Sequence, residues 1–295
     1  MRRIAVLFLL VLAGCSPQLP SVRLGELDPS VPEVRVPDSG EALVVAVAGM
    51  LSPRASEPYR RLAGALAEKL GRDVVVLQRR TYSDVLELLR EGTAQVGFLC
   101  TLAAGKGVSE GYLRAVAAGV PYEYAPYRSV ILTRTAMQVQ RLEDLANHRF
   151  AFVDPLSNTG FAWPQRFFRN RGVDARTFFS QTVFTYSHDR SIRALLDGFV
   201  DAAAVDGIVY FGLLKEDPGL GRELRVFWES PEDPPPPLVV RSDLPETQVR
   251  GLLAALTSLD NSLLSPLHIA RFTPTDSAPY RRVWAQFLEE QHAAP

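Results

Sequence analysis

Three observations predict an α/β fold of two lobes with a central cleft and two hinge crossings. Short apolar runs, Leu43–Ala48, Val74–Leu77 and Val96–Leu99, alternate with amphipathic runs of helical period. The same alternation starts again near residue 129 and runs to about residue 205. Segments near 126–135 and 232–241 separate the two series, and the last helical runs follow the second of them. The second lobe is therefore inserted into the first. Residues 42–128 and 240–295 form lobe 1, and 129–239 form lobe 2. Continuous apolar strands between amphipathic helices indicate a parallel sheet covered on both faces.

At the start of the chain, Arg2 and Arg3 precede a short apolar run, Ile4–Leu12, followed by Ala13, Gly14 and Cys15. A charged n-region, a short h-region and small residues make a secretory signal. The run is too short to span a hydrocarbon core of about 30 Å. Leu12-Ala-Gly-Cys15 resembles the lipobox of bacterial lipoproteins. That resemblance implies a signal peptide over 1–14, cleavage before Cys15 and its acylation. The alternative is a secreted protein with a chance cysteine. Acyl chains anchor firmly because each buried CH₂ contributes about 0.8 kcal/mol. With Cys15 lipidated, Cys100 has no intrachain partner and reads as a small buried apolar residue. No disulfide framework or cysteine-based metal site is available.

Residues 15–41 carry Pro17, Pro20, Pro29, Pro32 and Pro37 with no sustained period, as in a semi-extended tether. It holds the body off a membrane or packs along it. The body from Ala42 is large enough for one sizeable domain or two smaller ones. Hydrophobic content is 47% and net charge is −1, so nothing attracts it globally to nucleic acid.

In lobe 1, strand Leu43–Ala48 leads into a loop, Gly49–Pro53, and a helix over Glu57–Leu70 with Leu62, Leu66 and Leu70 on one face and Gly71 as its stop. Strand Val74–Leu77, helix Ser83–Arg90 ended by Gly92, and strand Val96–Leu99 follow, and Ala103–Lys106 reads as loop. In lobe 2 the strands are Ser129–Thr133, Arg149–Val153, Val183–Thr185 and Asp201–Val205. Leu142–Leu145 is a helical turn, and Phe161–Arg171 and Arg190–Leu196 are helices. Pro234–Pro237 is a linker excluded from a sheet interior. Strand Leu238–Arg241 and helices Glu246–Leu256 and Tyr280–Glu290 close the chain.

The chemistry concentrates where Arg149–Val153 meets Asp154 and Pro155 and then Ser157, Asn158, Thr159 and Gly160 before a helix. A helix N-terminus holds unpaired N–H groups and partial positive charge. Hydroxyls beside it add donors, and Gly160 admits close approach of the backbone. One reading is half of an anion-binding cleft; the other is an ordinary N-cap. Ser187-His-Asp189 repeats the arrangement at a second strand-to-helix turn.

Thr81-Tyr-Ser-Asp84, Phe150-Ala-Phe-Val-Asp-Pro155 with Ser157–Gly160, Ser187-His-Asp189 and Val200–Asp206, in this order, resemble the periplasmic phosphonate-binding family that serves ABC importers of phosphate, phosphite and phosphonates. The resemblance runs from about Leu43 to about Leu256. It implies a type II periplasmic binding fold closing on a small phosphorus oxyanion, and an ABC permease as partner. Ser157, Thr159, Asn158 and the Gly160 backbone would supply donors from one lobe, with Ser187 and His188 beside them. Tyr82 would reach from the other lobe, and Asp206 would accept from a ligand O–H or amine. For each an alternative stands. Tyr82 packs at a helix start, His188 and Asp189 cap, and Asp206 satisfies a neighbouring loop. Tyr127 and Ser129 at the first crossing, and Ser52, are further lining candidates. The family's Gly-Pro-Leu-Ala-Tyr type turn is replaced by Leu99–Gly105, which lacks the aromatic and offers Thr101.

Enzyme readings are poor. Gly107-Val-Ser-Glu-Gly111 matches a nucleophile-elbow string without a strand before it. The four histidines are far apart, with no metal-ligand spacing, and no cofactor motif is present. The chain is expected to be a monomeric, lipid-anchored, extracytoplasmic solute-binding protein. The alternative is a sensing domain of the same fold that signals to a membrane receptor.

Overall fold

The computed structural model describes residues 42–48 and 56–292. The expected signal sequence, Cys15, the expected tether to residue 41 and the expected Gly49–Pro53 loop with Ser52 lie outside the described residues.

The first sheet takes β1 (Leu43–Ala48), β2 (Val74–Arg79), β3 (Val96–Phe98) and β4 (Leu113–Pro121) from the chain's first pass. After the second lobe the chain returns to it with β10 (Pro237–Arg241) and β11 (Ile269–Pro274), giving the order β11-β4-β10-β3-β1-β2. The second sheet holds β5 (Ser129–Arg134), β6 (Arg149–Phe152), β7 (Gln181–Phe184), β8 (Ala202–Asp206) and β9 (Leu224–Glu229) in the order β7-β6-β8-β5-β9.

Both sheets are mixed, which corrects the expected parallel sheet. β1 runs parallel to β2 and β3, and β6 to β7 and β8. β10 is antiparallel to β3 and β4, β11 to β4, and β5 to β8 and β9. The cause is the insertion. β4 and β10, and likewise β5 and β9, carry the chain in opposite directions through the same boundary, so each pair must run antiparallel.

The chain crosses between the sheets at 122–128 and 230–236. The crossings expected near 126–135 and 232–241 overlap strands: residues 129–134 are β5, and Pro237–Val239 pair within the first sheet rather than ending lobe 2. Pro237 does enter a sheet, opposite Ala118, because it is the first residue of its strand and the Leu99 N–H donates to its carbonyl at 3.3 Å.

Helices α1 (Ser56–Leu70), α2 (Tyr82–Glu91), α3 (Thr101–Ser109), α9 (Glu246–Thr257), α10 (Asn261–Leu264) and α11 (Ala278–His292) pack on the first sheet. Helices α4 (Trp163–Arg169), α5 (Ala175–Phe178), α6 (His188–Leu196), α7 (Gly207–Glu216) and α8 (Leu220–Glu223) pack on the second. Strand alternation divides the second core into two faces. Val130, Leu132, Ala203 and Val205 face α6 and α7, while Ile131, Phe150, Phe152 and Ala204 face a phenylalanine cluster from α4 and the α5 region.

α3 corrects the expected loop at Ala103–Lys106. Its two glycines hide a helix because they are close-approach positions: a Cβ at Gly105 would stand 2.4 Å from the Tyr280 carbonyl of α11. The Gly107–Gly111 string falls at the end of this helix, with Ser109 its last residue, so it forms no strand-to-helix elbow.

Candidate functional site

Sequence-local rules bring the site together. Strand β6 ends at Phe152, and Ser157 then N-caps a single π-helical turn, Asn158–Ala162, that leads into α4. The Ser157 Oγ accepts the Gly160 N–H at 3.0 Å. Gly160 packs against the strand it follows, and a Cβ there would lie 2.5 Å from that of Val153. β8 carries Asp206 to its end, where the residue N-caps α7 by accepting the Ile208 N–H at 2.8 Å. Ser187 N-caps α6, and His188 is its first residue. All of these side chains are buried.

The expected donors differ in what they have left to give. The Thr159 hydroxyl donates to Asp206 Oδ2 at 3.2 Å, the Asn158 amide to Asp233 Oδ2 at 2.7 Å, and the Ser187 hydroxyl to Asp189. These three act first as scaffold. Ser129 also scaffolds, donating to the Thr159 carbonyl at 2.6 Å, and Thr101 donates to the Pro234 carbonyl at 2.7 Å. The Ser157 hydroxyl accepts but donates to no described residue. His188 Nδ1 accepts the Asp206 N–H at 3.0 Å, which puts the ring proton on Nε2. Burial lowers the His188 pKa to about 4, so the ring is a neutral donor.

Tyr82 enters from the other lobe as the first residue of α2, behind a Thr81–Asp84 capping box. Its ring is 2% exposed and its hydroxyl has no hydrogen-bond partner among the described residues. The Tyr127 hydroxyl is in the same position. Burial is the main cause that raises the pKa of both phenols; Cys100 and Asp206 beside them raise both further, and Tyr127 adds to the shift of Tyr82. The Thr101 hydroxyl also stands beside Tyr127 and lowers its pKa; with its own proton committed to Pro234, its oxygen is left to accept from the phenol.

Asp206 is the site's own acid. Burial raises its pKa to about 7, against the opposing bonds from Ile208 and Thr159. Among the described residues, no Arg or Lys bonds to Tyr82, Tyr127, Ser157, Thr159, His188 or Asp206. The cluster therefore offers uncharged donors beside one carboxyl whose proton is held near neutrality. A set of this kind has the chemistry to bind an oxyanion without a salt bridge and to accept one ligand O–H. No group of side chains among the described residues is arranged to hold a metal ion.

Two participants were hidden from sequence reasoning. Asp233, in the second crossing, receives Asn158 and the Trp163 indole. Asp154, which follows the strand Arg149–Val153, turns its carboxylate across the cleft to the backbone N–H of Tyr82. Their signal was only a carboxylate beside proline, which does not reveal a partner 72 residues away.

Relatives of known type fit this geometry. The family described as "ABC transporter, phosphonate, periplasmic substrate-binding protein" matches residues 45–280. The chain is 28% identical over 156 residues to the probable ABC transporter phosphite binding protein PhnD1 of Prochlorococcus marinus, covering 49% of this chain and 52% of that protein. It is 26% identical over 187 residues to the phosphonates-binding periplasmic protein of Escherichia coli, covering 62% and 55%. The matched regions thus span about half the length of these two relatives. In fold, it is similar to a binding protein component of a Pseudomonas aeruginosa ABC phosphonate transporter, with TM-score 0.77 and 21% identity over 86% of this chain and 88% of that one. The crystal structure of PhnD1 with methylphosphonate gives TM-score 0.76 and 20% identity over 86% and 99%. With the match across most of its length, the chain belongs to the periplasmic substrate-binding proteins of phosphonate ABC transporters.

Proposed function

We propose that the chain captures phosphate, phosphite or a small phosphonate between its lobes and passes it to an ABC permease. It catalyses no reaction. In this reading Cys15 carries a lipid anchor on the outer side of a membrane, and the protein acts as a monomer. The observation that carries the reading is the pair of buried phenols beside Asp206, Tyr82 and Tyr127, whose hydroxyls have no hydrogen-bond partner among the described residues; the Ser157 hydroxyl and the His188 Nε2–H are the further donors. A tetrahedral oxyanion gives all four groups an acceptor, and a P–OH or a protonated Asp206 relieves the repulsion between ligand and carboxylate. The likeness to a probable phosphite binding protein and to a phosphonates-binding protein supports the ligand class.

Thermal unfolding of the full chain with phosphate, phosphite and methylphosphonate tests this. At about a thousand times Kd, binding stabilises the fold by about 4 kcal/mol, a rise in Tm of roughly 10 °C for a body of this size. A Tm unmoved by every one of them would contradict the reading.

A further inference from the structure

We propose that Asp154 and Tyr186 form a clasp that holds the cleft shut on residues 80–82 and sets how long a ligand stays. The inference deepens the reading of the cleft as a ligand site, since neither residue is placed among the ligand donors.

Asp154 follows β6 in the second lobe and is 3% exposed. Its Oδ1 accepts the Leu156 N–H at 2.8 Å, which fixes the carboxylate locally. Its Oδ2 accepts the Tyr82 backbone N–H at 3.2 Å. That N–H opens α2 in the first lobe, and first-turn N–H groups have no partner within their own helix. The capping box spends the Thr81 hydroxyl on Asp84 and leaves the Tyr82 N–H for the facing lobe. A carboxylate at a helix N-terminus also meets the positive end of its dipole.

A second contact lies two residues away. The Arg80 guanidinium stands 4.4 Å over the Tyr186 ring, in the turn between β7 and α6. Tyr186 has φ 58°, the left-handed region that a tyrosine rarely adopts. Its N–H donates to the Val153 carbonyl at 2.8 Å, so the turn is tied to the strand end that carries Asp154. β6 and β7 are parallel neighbours, which places both clasping residues at one edge of the cleft. Together they hold Arg80 and Tyr82 on either side of Thr81. Both contacts exist only with the lobes together, so they favour the closed state whether or not a ligand is present.

Hydrogen exchange of the full chain, resolved at the Tyr82 amide, reads the clasp without ligand. Wild type is expected to protect this amide although it is the first in its helix. Asp154→Ala should speed its exchange about tenfold or more. Tyr186→Leu, which removes the ring under Arg80 and leaves the Asp154 carboxylate in place, should speed it as well, and Tyr186→Phe should restore protection because the ring remains. In the second arm, Tyr186→Leu raises koff for methylphosphonate roughly tenfold, about 1.4 kcal/mol, and leaves kon within about twofold. Exchange of the wild-type amide at the unstructured rate, or wild-type protection in Tyr186→Leu, overturns the clasp. If no phosphorus oxyanion binds wild type, the ligand reading fails while the exchange arm still decides the clasp. If Asp154→Ala does not fold, the two Tyr186 variants decide alone.

Discussion

The Asp206 N–H donates to His188 Nδ1 over 3.0 Å, and this bond sets the tautomer of the His188 imidazole. The backbone of an acid thus orients a neutral donor, while the acid's carboxyl is held by Thr159 and Ile208. The site is polar, buried and uncommitted only at chosen atoms.

His188 is expected to stay neutral throughout the physiological range. Its pKa of about 4 in the fold lies below the ordinary histidine value, so protonation is favoured in the unfolded chain first. The sign follows: the contribution to stability is present above an ordinary histidine pKa of about 6.5 and is lost as pH falls toward about 4. Nitrogen NMR of the ring should show an Nε2–H tautomer at neutral pH and no titration above about pH 5. A ring that titrates near an ordinary histidine pKa would contradict the assignment.

The two phenols should show opposite effects on stability and binding. Removing a buried hydroxyl that has no partner leaves the ligand-free fold unchanged or stabilises it by up to about 1 kcal/mol. The same hydroxyl is worth about 1.5–3 kcal/mol when it donates to an anion, or roughly ten- to hundredfold in Kd. Tyr82→Phe and Tyr127→Phe should each keep Tm and lose affinity, measured by thermal unfolding and calorimetry on the same samples. Loss of Tm with unchanged affinity would give these residues a packing role.

Asp206 predicts a pH dependence of the ligand-free protein. Its pKa is raised to about 7, above an unfolded value near 4, so the fold favours the protonated carboxyl. Stability from this group is complete below about pH 4, declines as pH rises to about 7, and is flat beyond. Asp206→Asn should remove that decline, as chemical denaturation across the range would show. Parallel curves for wild type and variant would place the proton elsewhere.

A structural acid in lobe 2 should behave in the opposite way. Asp201 accepts from Arg149 at 2.9 Å through both carboxylate oxygens and from Arg134 at 2.8 Å, and these bonds hold its pKa well below the usual carboxylate range. Its contribution is present above about pH 4 and is lost as pH falls further. Asp201→Ala leaves two arginines without their partner and should cost about 3 kcal/mol in urea unfolding at neutral pH. A cost well under 1 kcal/mol would show the network to be solvent-screened.

Much of the frame was legible in residue order. α1 and α2 announced themselves through leucine period and the Gly71 and Gly92 stops, β1 and β2 through valine runs, and β3 through a short apolar run. β4, Leu-Arg-Ala-Val-Ala-Ala-Gly-Val-Pro, was not legible, because alanine and glycine carry little strand preference. α7 escaped because it is apolar nearly all round and has no helical stripe. β9 and β11 escaped with them, although β5 and β10, which run antiparallel to their neighbours in the two sheets, were read as strands.

The site was legible by residue type but not by commitment. Ser157, Thr159, His188 and Asp206 stand at strand-to-helix turns that a local pattern reveals. Which hydroxyl still has a proton to give depends on Asp189, Asp206 and Asp233 as neighbours in space. The cross-cleft bond from Tyr82 to Asp154 is likewise a property of the closed fold.

The central claim is tested most directly by calorimetric titration of the full chain with phosphate, phosphite and methylphosphonate, on wild type and on the Tyr82→Phe, Tyr127→Phe double variant. At least one ligand should bind wild type at micromolar Kd or tighter, and the folded double variant should bind it at least about a hundredfold more weakly. Absence of heat for every ligand with folded wild-type protein, or equal affinity in the double variant, would contradict the account.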